Sequence, residues 1–439
     1  MRITIVGAGY VGLVSGACFA EFGVEVCVVD ADAGKVAALH EGRIPIYELG
    51  LDRLVAENVR DGRLSFTTNL AQAMRDAEAV FLAVGTPSRR GDGHADLSYV
   101  FAAAQQVAQA ATGPLVLVTK STVPVGTGAR VKELVRQVRP DLDIAVASNP
   151  EFLREGSAIG DFMRPDRVVV GTEAGEAGER AQAVLKRLYR PLYLFETPII
   201  ATSIETAELI KYAANAFLAA KITFINEMAD LCEHVGADVH DVAHGMGLDG
   251  RIGKKFLHPG PGYGGSCFPK DTLALARTAQ EAGTPVRLVE ATIAANDARK
   301  ERMAERVITA CGGSVAGKTV AVLGLAFKPE TDDMRDSAAL IMLPQLVRAG
   351  AKVRAYDPAA MDNARPLLPI GVVYADSAMK AADGADALVL LTEWNELRAL
   401  EPERLRAAMV GDVLLDLRNV YEPAVMREAG FHYSSIGRR

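Results

Sequence analysis

Short apolar runs alternate with amphipathic stretches along most of the chain. Arg2–Val6 is rich in β-branched residues, helical periodicity follows to about Phe22, and Val24–Val29 is apolar again. That alternation predicts parallel strands covered by helices. Further strands are expected at Ala79–Val84, Leu115–Thr119, Ile144–Ser148 and Arg167–Gly171. From about Thr202 to Val235 the pattern is one helix with no Pro or Gly inside it. Such a helix would run about 50 Å, longer than one domain needs, so it is expected to bridge domains and to offer an oligomer face. After Gly317 the strand pattern resumes, at Lys318–Leu323, Lys352–Tyr356, Ala387–Leu391 and Val413–Asp416. The fold class expected is α/β, with two Rossmann-like doubly wound domains joined by a long central helix. The expected boundaries are residues 1–200, 201–305 and 306–439.

The turns between these elements carry the chemistry. Gly7-Ala-Gly9-Tyr-Val-Gly12 lies between the first strand and the first helix, and Asp30 ends the second strand. In that setting the glycines fit a dinucleotide pyrophosphate resting on the helix N-terminus. Asp30 is suited to accept hydrogen bonds from the adenosine ribose and to repel a phosphate there, which favours NAD over NADP. Lys35 is placed to cover the same ribose, or is an ordinary surface lysine. Three polar turns follow later strands: Gly85–Pro87 with Thr86, Lys120–Gly126 with Thr122, and Ser148–Gly156 with Glu151 and Glu155. Ligands in doubly wound sheets collect at that edge. On the long helix, Lys211 and Asn215 share a face among Ala, Ile, Leu and Tyr. A Lys there costs free energy unless it is paired, the alternative being that it snorkels to water.

The run Phe256–Asp271 is too rich in Gly and Pro for a helix or an ordinary strand, and Cys267 stands within it. A helix is expected from Asp271 to about Glu281. A thiol just before a helix start meets unsatisfied N–H groups and the positive end of the dipole, and Lys270 acts in the same direction, so thiolate is favoured. A buried structural cysteine would not need the surrounding glycines, Lys and Asp, whereas close approach of a ligand does. In the second nucleotide-type region, Lys328 and Arg335 flank an acidic stretch, Glu330–Asp333, with plain surface charge as the alternative.

Composition narrows the classes. Of 439 residues, 49% are hydrophobic and 23% charged, with a net charge of −7. No run of Lys or Arg marks a nucleic-acid partner. The five cysteines are scattered without a CxxC pair, which fits a reducing compartment and neither a disulfide framework nor a metal site. Cys18, Cys27, Cys232 and Cys311 stand in apolar segments as core fillers. The apolar stretch after Arg2 is broken by glycines at 7, 9, 12 and 16, and no other segment is long and apolar enough for a membrane. A cytoplasmic, soluble protein is expected.

Taken in order, GAGYVG, KSTVPVGTG, NPEFLREG, the Lys211–Asn215 helix, GPGYGGSCFPKD and GLAFKPETDDMRDS resemble the UDP-glucose/GDP-mannose dehydrogenase family over the whole chain. The cysteine loop is the most specific motif, because dehydrogenases that stop at the carbonyl lack a nucleophilic thiol there. The loop also favours UDP-glucose as substrate. The resemblance implies a four-electron oxidation, in which UDP-glucose, two NAD+ and water give UDP-glucuronate through a covalent intermediate on Cys267. It implies catalytic roles for Cys267, Lys211, Asn215, Asp271, Thr122 and Glu151. Cofactor contacts fall on Gly7, Gly9, Val11, Gly12, Asp30, Lys35, Thr86, Thr122, Glu155, Lys270 and Arg335. Substrate contacts fall on Glu151, Phe152, Leu153, Arg154, Glu155, Lys211, Asn215, Phe256, Leu257, His258, Pro259, Gly260, Gly264 and Lys328, with no catalytic role for His258. It also implies a homodimer along the long helix and, for Arg335, a reach from the C-terminal domain to the dinucleotide. The alternatives are the same chemistry on GDP-mannose or a UDP-N-acetylhexosamine, a two-electron hydroxyacid-type dehydrogenase, and a nucleotide sensor on a dehydrogenase scaffold.

Overall fold

The computed structural model describes residues 1–89 and 93–438. They fall into two units: Met1–Ala214 with Arg277–Ala282, and Asn215–Ala276 with Gly283–Arg439.

In the first unit, eight strands form one sheet: β1 Arg2–Val6, β2 Glu25–Val29, β3 Leu64–Thr67, β4 Ala79–Leu82, β5 Leu115–Thr119, β6 Ile144–Ser148, β7 Val168–Thr172 and β8 Ile199–Ser203. Their order is β3-β2-β1-β4-β5-β6-β7-β8. The first six are parallel, β7 pairs antiparallel to β6, and β8 runs parallel to β7. Strands β4, β5 and β6 are buried along their whole length, the expected state of a sheet with helices on both faces. Helices Tyr10–Glu21 and Thr127–Val138 each follow a strand on this sheet.

The second unit has a six-stranded parallel sheet: β9 Thr319–Leu323, β10 Lys352–Tyr356, β11 Val373–Tyr374, β12 Ala387–Leu390, β13 Val413–Asp416 and β14 His432–Ser435. Its order, β11-β10-β9-β12-β13-β14, repeats that of the first six strands of the larger sheet. Helices Val239–Gly247, Phe268–Glu281 and Arg287–Ala310 occupy the stretch before it.

The long helix is Ile204–Val235, 32 residues, beginning two residues later than its pattern predicts because Thr202 and Ser203 complete β8. The division between units falls inside it. The cysteine-loop helix begins at Phe268, three residues before the expected Asp271, so Cys267 immediately precedes it. Strands β3, β8, β11 and β14 were not expected, nor was the reversal at β7. Among the described residues no helix is long and apolar enough to cross a membrane.

Candidate active site

Within the first unit, a tight turn leaves β1. Gly7 has φ 108°, and a Cβ there would lie 2.6 Å from the Ala83 carbonyl oxygen; a Cβ on Gly12 would lie 1.8 Å from the Gly7 oxygen. These two glycines are therefore demanded by the chain's own packing. Gly9 is different: nothing lies within 4 Å of its Cβ position, and it stands at the start of a helix with no side-chain cap. Open space beside uncapped N–H groups is what a pyrophosphate needs. Val11, in the first turn, packs against the core.

Asp30 accepts from the Ala8 N–H at 2.8 Å and the Asp32 N–H at 3.0 Å, and pairs with Lys35 at 3.0 Å. Partial burial pushes its carboxyl up, but these donors outweigh it and hold it below the usual range. The Thr86 hydroxyl donates to the Thr122 carbonyl at 3.0 Å, joining the turns after β4 and β5.

Lys211, expected to need a partner, has one. Its ammonium lies 2.9 Å from Glu151, with the two side chains 3% and 5% exposed. Glu151 also accepts the Leu153 N–H at 2.6 Å. Burial pushes the Glu151 carboxyl up; Lys211, that N–H and Lys120 overcome it and leave it below the ordinary value. Phe152 places its ring 5.3 Å from the Lys211 ammonium and 3.7 Å from the Arg167 guanidinium. Arg154 pairs with Asp161 at 2.6 Å, and Glu155 is half-buried. Lys120 is buried against Asn149 and Tyr189, and burial lowers its ammonium to about 8.

The cysteine loop is held within the second unit. Phe256 takes a left-handed φ of 64°, Leu257 enters the core, His258 is exposed, and Pro259 and Gly260 are buried. Gly260 is gripped through both backbone groups: its N–H donates to Asn226 at 2.8 Å, and its carbonyl accepts from Arg299 at 2.6 Å. Asn296 does the same for Tyr263, at 2.8 and 3.2 Å. A Cβ on Gly264 would meet the Asp336 carbonyl at 2.4 Å, and one on Gly265 the Phe327 ring at 2.5 Å. The Gly265 N–H donates to the Arg335 carbonyl at 2.8 Å. Two motifs distant in sequence, GPGYGGSCFPKD and GLAFKPETDDMRDS, are thus packed backbone to backbone.

Cys267 is half-buried, with its sulfur 3.4 Å from the Ser266 hydroxyl. Its carbonyl accepts the Asp271 N–H at 2.9 Å, the first bond of the helix, which puts the thiol at the helix start. Asp271 is fully buried; it accepts from the Asn215 amide at 2.6 Å and pairs with Lys270. Lys328 stands 5.5 Å from the Phe327 ring, and the largely exposed Arg335 pairs with Asp333 at 2.8 Å. Lys211 and Asn215 are one turn apart on the long helix.

Family models for the UDP-glucose/GDP-mannose dehydrogenase family match three segments: the NAD binding domain at residues 1–193, the central domain at 205–298 and the UDP binding domain at 321–423. A UDP-glucose 6-dehydrogenase from Rhizobium meliloti (strain 1021) is 60% identical over 438 residues, covering 100% of both chains. The chain belongs to the UDP-glucose/GDP-mannose dehydrogenase family. It is an NAD-dependent oxidoreductase, and the open Gly9 cradle and the Asp30 carboxylate suit that cofactor.

Among solved structures of this family, a UDP-glucose dehydrogenase from the hyperthermophilic archaeon Pyrobaculum islandicum superposes with TM-score 0.91 at 38% identity, covering 100% of this chain and 98% of that one. A UDP-D-ManNAc dehydrogenase from Pyrococcus horikoshii gives 0.86 at 27% identity, covering 100% and 99%. One fold in this family therefore serves more than one sugar. Sequence reasoning passed over Lys120, Glu208, Asn226, Asn296 and Arg299. The test that singled out Lys211, a polar residue among apolar neighbours on a helix, would have found Glu208 and Asn226 on the same helix.

Proposed function

We propose that the chain oxidises UDP-glucose to UDP-glucuronate with two NAD+ and one water, through a covalent intermediate on Cys267. The observation that carries this is full-length 60% identity to a UDP-glucose 6-dehydrogenase, combined with a half-buried cysteine at a helix start in the loop expected to bear the nucleophile. Gly7, Gly9, Val11, Gly12, Asp30, Lys35, Thr86, Thr122, Glu155, Lys270 and Arg335 would hold NAD+, which when bound would supply the hydride acceptor for each of two oxidations at C6. The first leaves an aldehyde, and the departing hydroxyl proton is lost to water.

The Cys267 thiolate then adds to the aldehyde carbon as the C=O π bond opens and the C6 oxygen takes a proton from water, giving a thiohemiacetal that cannot escape. Loss of the second hydride, with the hydroxyl proton of the thiohemiacetal, leaves a thioester. Water attacks that carbonyl, the C–S bond breaks, and the carboxylate departs as the thiolate is restored, both protons of the attacking water passing to solvent. Lys211 and Asn215 donate to the C6 oxygen as charge grows there. Glu151 supports this by keeping Lys211 charged. Asp271 organises or deprotonates the hydrolytic water, with Thr122 and Glu151 assisting. The segments Glu151–Glu155 and Phe256–Gly260, with Gly264 and Lys328, hold the nucleotide sugar.

We take the functional division to be 1–200, 201–305 and 306–439, a reading supported by family segments at 1–193, 205–298 and 321–423. We also propose a homodimer along the long helix, where Phe217, Phe224 and Leu231 recur every seven residues and are 65%, 46% and 50% exposed. The cytoplasm is the compartment that suits an NAD enzyme whose five cysteines form no disulfide.

NADH counted per UDP-glucose consumed tests the reaction: two supports it, and one returns the two-electron alternative. Cys267→Ser is expected to abolish UDP-glucuronate formation while nucleotide binding persists. A Cys267→Ala enzyme forming UDP-glucuronate at the normal rate would end the covalent scheme.

A further inference from the structure

Glu208 stands one turn before Lys211 on the long helix and is only 2% exposed. Its two carboxylate oxygens accept from the Gly126 and Gly128 N–H groups, both at 2.7 Å. Those groups open the helix Thr127–Val138, whose own first residues supply no side-chain cap. A local Ser, Thr or Asn would satisfy such N–H groups at little cost. Here a carboxylate some 80 residues away does so, and burial, with the charge of Glu205 added, pushes it up to about 7. The chain is also shaped to admit it. A Cβ at Gly128 would lie 2.3 Å from the Ile204 side chain and 3.2 Å from Glu208 itself.

The segment so anchored carries Thr122. Its upstream end is tied to the sheet, with the Lys120 and Ser121 N–H groups donating to the Leu82 carbonyl and the Ser121 hydroxyl to Val84 at 2.7 Å. Thr86 holds the middle through the Thr122 carbonyl at 3.0 Å, and the Thr127 hydroxyl closes the turn on Pro124 at 2.6 Å. Glu208 fixes the downstream end. Three residues further along the same helix, Lys211 pairs with Glu151 at 2.9 Å.

We propose that Glu208 is a positioning residue for sugar oxidation, setting the Thr122 segment in register with the Lys211–Glu151 pair by locking both to one turn of the long helix. This rests on the reading that Thr122 and Lys211 serve that oxidation. A displacement of about 1 Å in such a group costs up to about a hundredfold in rate.

Glu208→Gln keeps the side chain's size but turns one N–H donor toward a backbone N–H. With UDP-glucose and NAD+, its kcat is expected to fall about tenfold or more while both KM values stay within about twofold. Combined with Thr122→Ala, the loss should be much less than the product of the two single effects. A kcat within about twofold of the wild type, or a strictly multiplicative double variant, overturns the inference. Glu208→Asp serves as the second variant should Glu208→Gln not fold: it keeps the charge, reaches one N–H at most, and should lose kcat to a smaller degree. Amide exchange separates this inference from the functional reading. If the wild type gives no NADH from UDP-glucose, faster exchange at Gly126 and Gly128 in Glu208→Gln still supports the anchor, and unchanged exchange overturns it.

Discussion

The two sheets share one strand order and one opening move, yet they spend the same carboxylate differently. In the first, the Gly7 N–H donates to the Val29 carbonyl and Asp30 accepts from Ala8; in the second, the Gly324 N–H donates to Tyr356 and Asp357 accepts from Leu325. A Cβ on either glycine would strike the neighbouring central strand's end, at Ala83 or at Thr392. Beyond that the two part. Asp30 has two backbone donors and a lysine and stays 13% exposed. Asp357 is fully buried and takes five donors, from Leu325, Ala326, Ala359, Ala360 and the Trp394 indole. A carboxylate so saturated has no acceptor left for a ribose. The helix after Gly7 begins at Tyr10, whereas the one after Gly324 begins only at Ala339. The phosphate-binding start of a dinucleotide site is thus replaced by a loop carrying Lys328 and Arg335. The two second-strand aspartates therefore differ in what they can still accept: Asp357 is filled by its own chain, whereas Asp30 keeps part of its carboxylate exposed.

The largest effect that tests this is structural. Asp357→Ala would leave four backbone N–H groups without acceptors, and we expect a loss of about 3 kcal/mol or more in denaturant unfolding. NAD affinity per folded molecule should be unchanged. A well-folded Asp357→Ala protein of near wild-type stability would break the contrast.

Next comes pH, which separates the units through Glu208. Folded, its carboxyl holds a proton up to about pH 7, against an ordinary value of 4.5. Between those values the folded state binds more protons than the unfolded one, so this stabilisation is fully present below about pH 4.5 and is lost as pH rises to about 7. The whole effect is at most about 3 kcal/mol. Thermal melts from pH 5 to 8 should show the wild type losing ground to Glu208→Gln across that range, and parallel curves would refute this.

The smallest effect concerns Asp30. Asp30→Ala should raise the NAD dissociation constant about tenfold, about 1.4 kcal/mol, with UDP affinity intact and a smaller stability loss than at Asp357. If titration calorimetry finds NAD affinity unchanged, Asp30 is structural like its counterpart and the distinction disappears.

What the sequence made legible was local. The fingerprint glycines, both β-branched opening strands and the long helix follow from periodicities of two and 3.6, read over a few residues. Edge strands escaped, because β8 is half-exposed and β11 has only two residues, leaving no continuous apolar run. The reversal at β7 depends on pairing and not on composition. At the site, Lys211 announced its need for a counter-charge, but nothing nearby in the chain identified Glu151 as the partner. Arg299 and Asn296, and the partners of Glu208, were missed for the same reason: each side chain bonds to backbone 33 or more residues away, and a backbone amide leaves no mark in a sequence.

The cysteines are unlike one another in a way that has a practical use. Four lie in the core, where burial drives their thiols upward, to about 12 for Cys18. Cys267 is half-buried, more open to solvent than the other four. A single equivalent of an alkylating reagent is therefore expected to mark Cys267 first in the native chain, and protection by UDP-glucose or NAD+ would report ligand occupancy beside that thiol without any engineered tag.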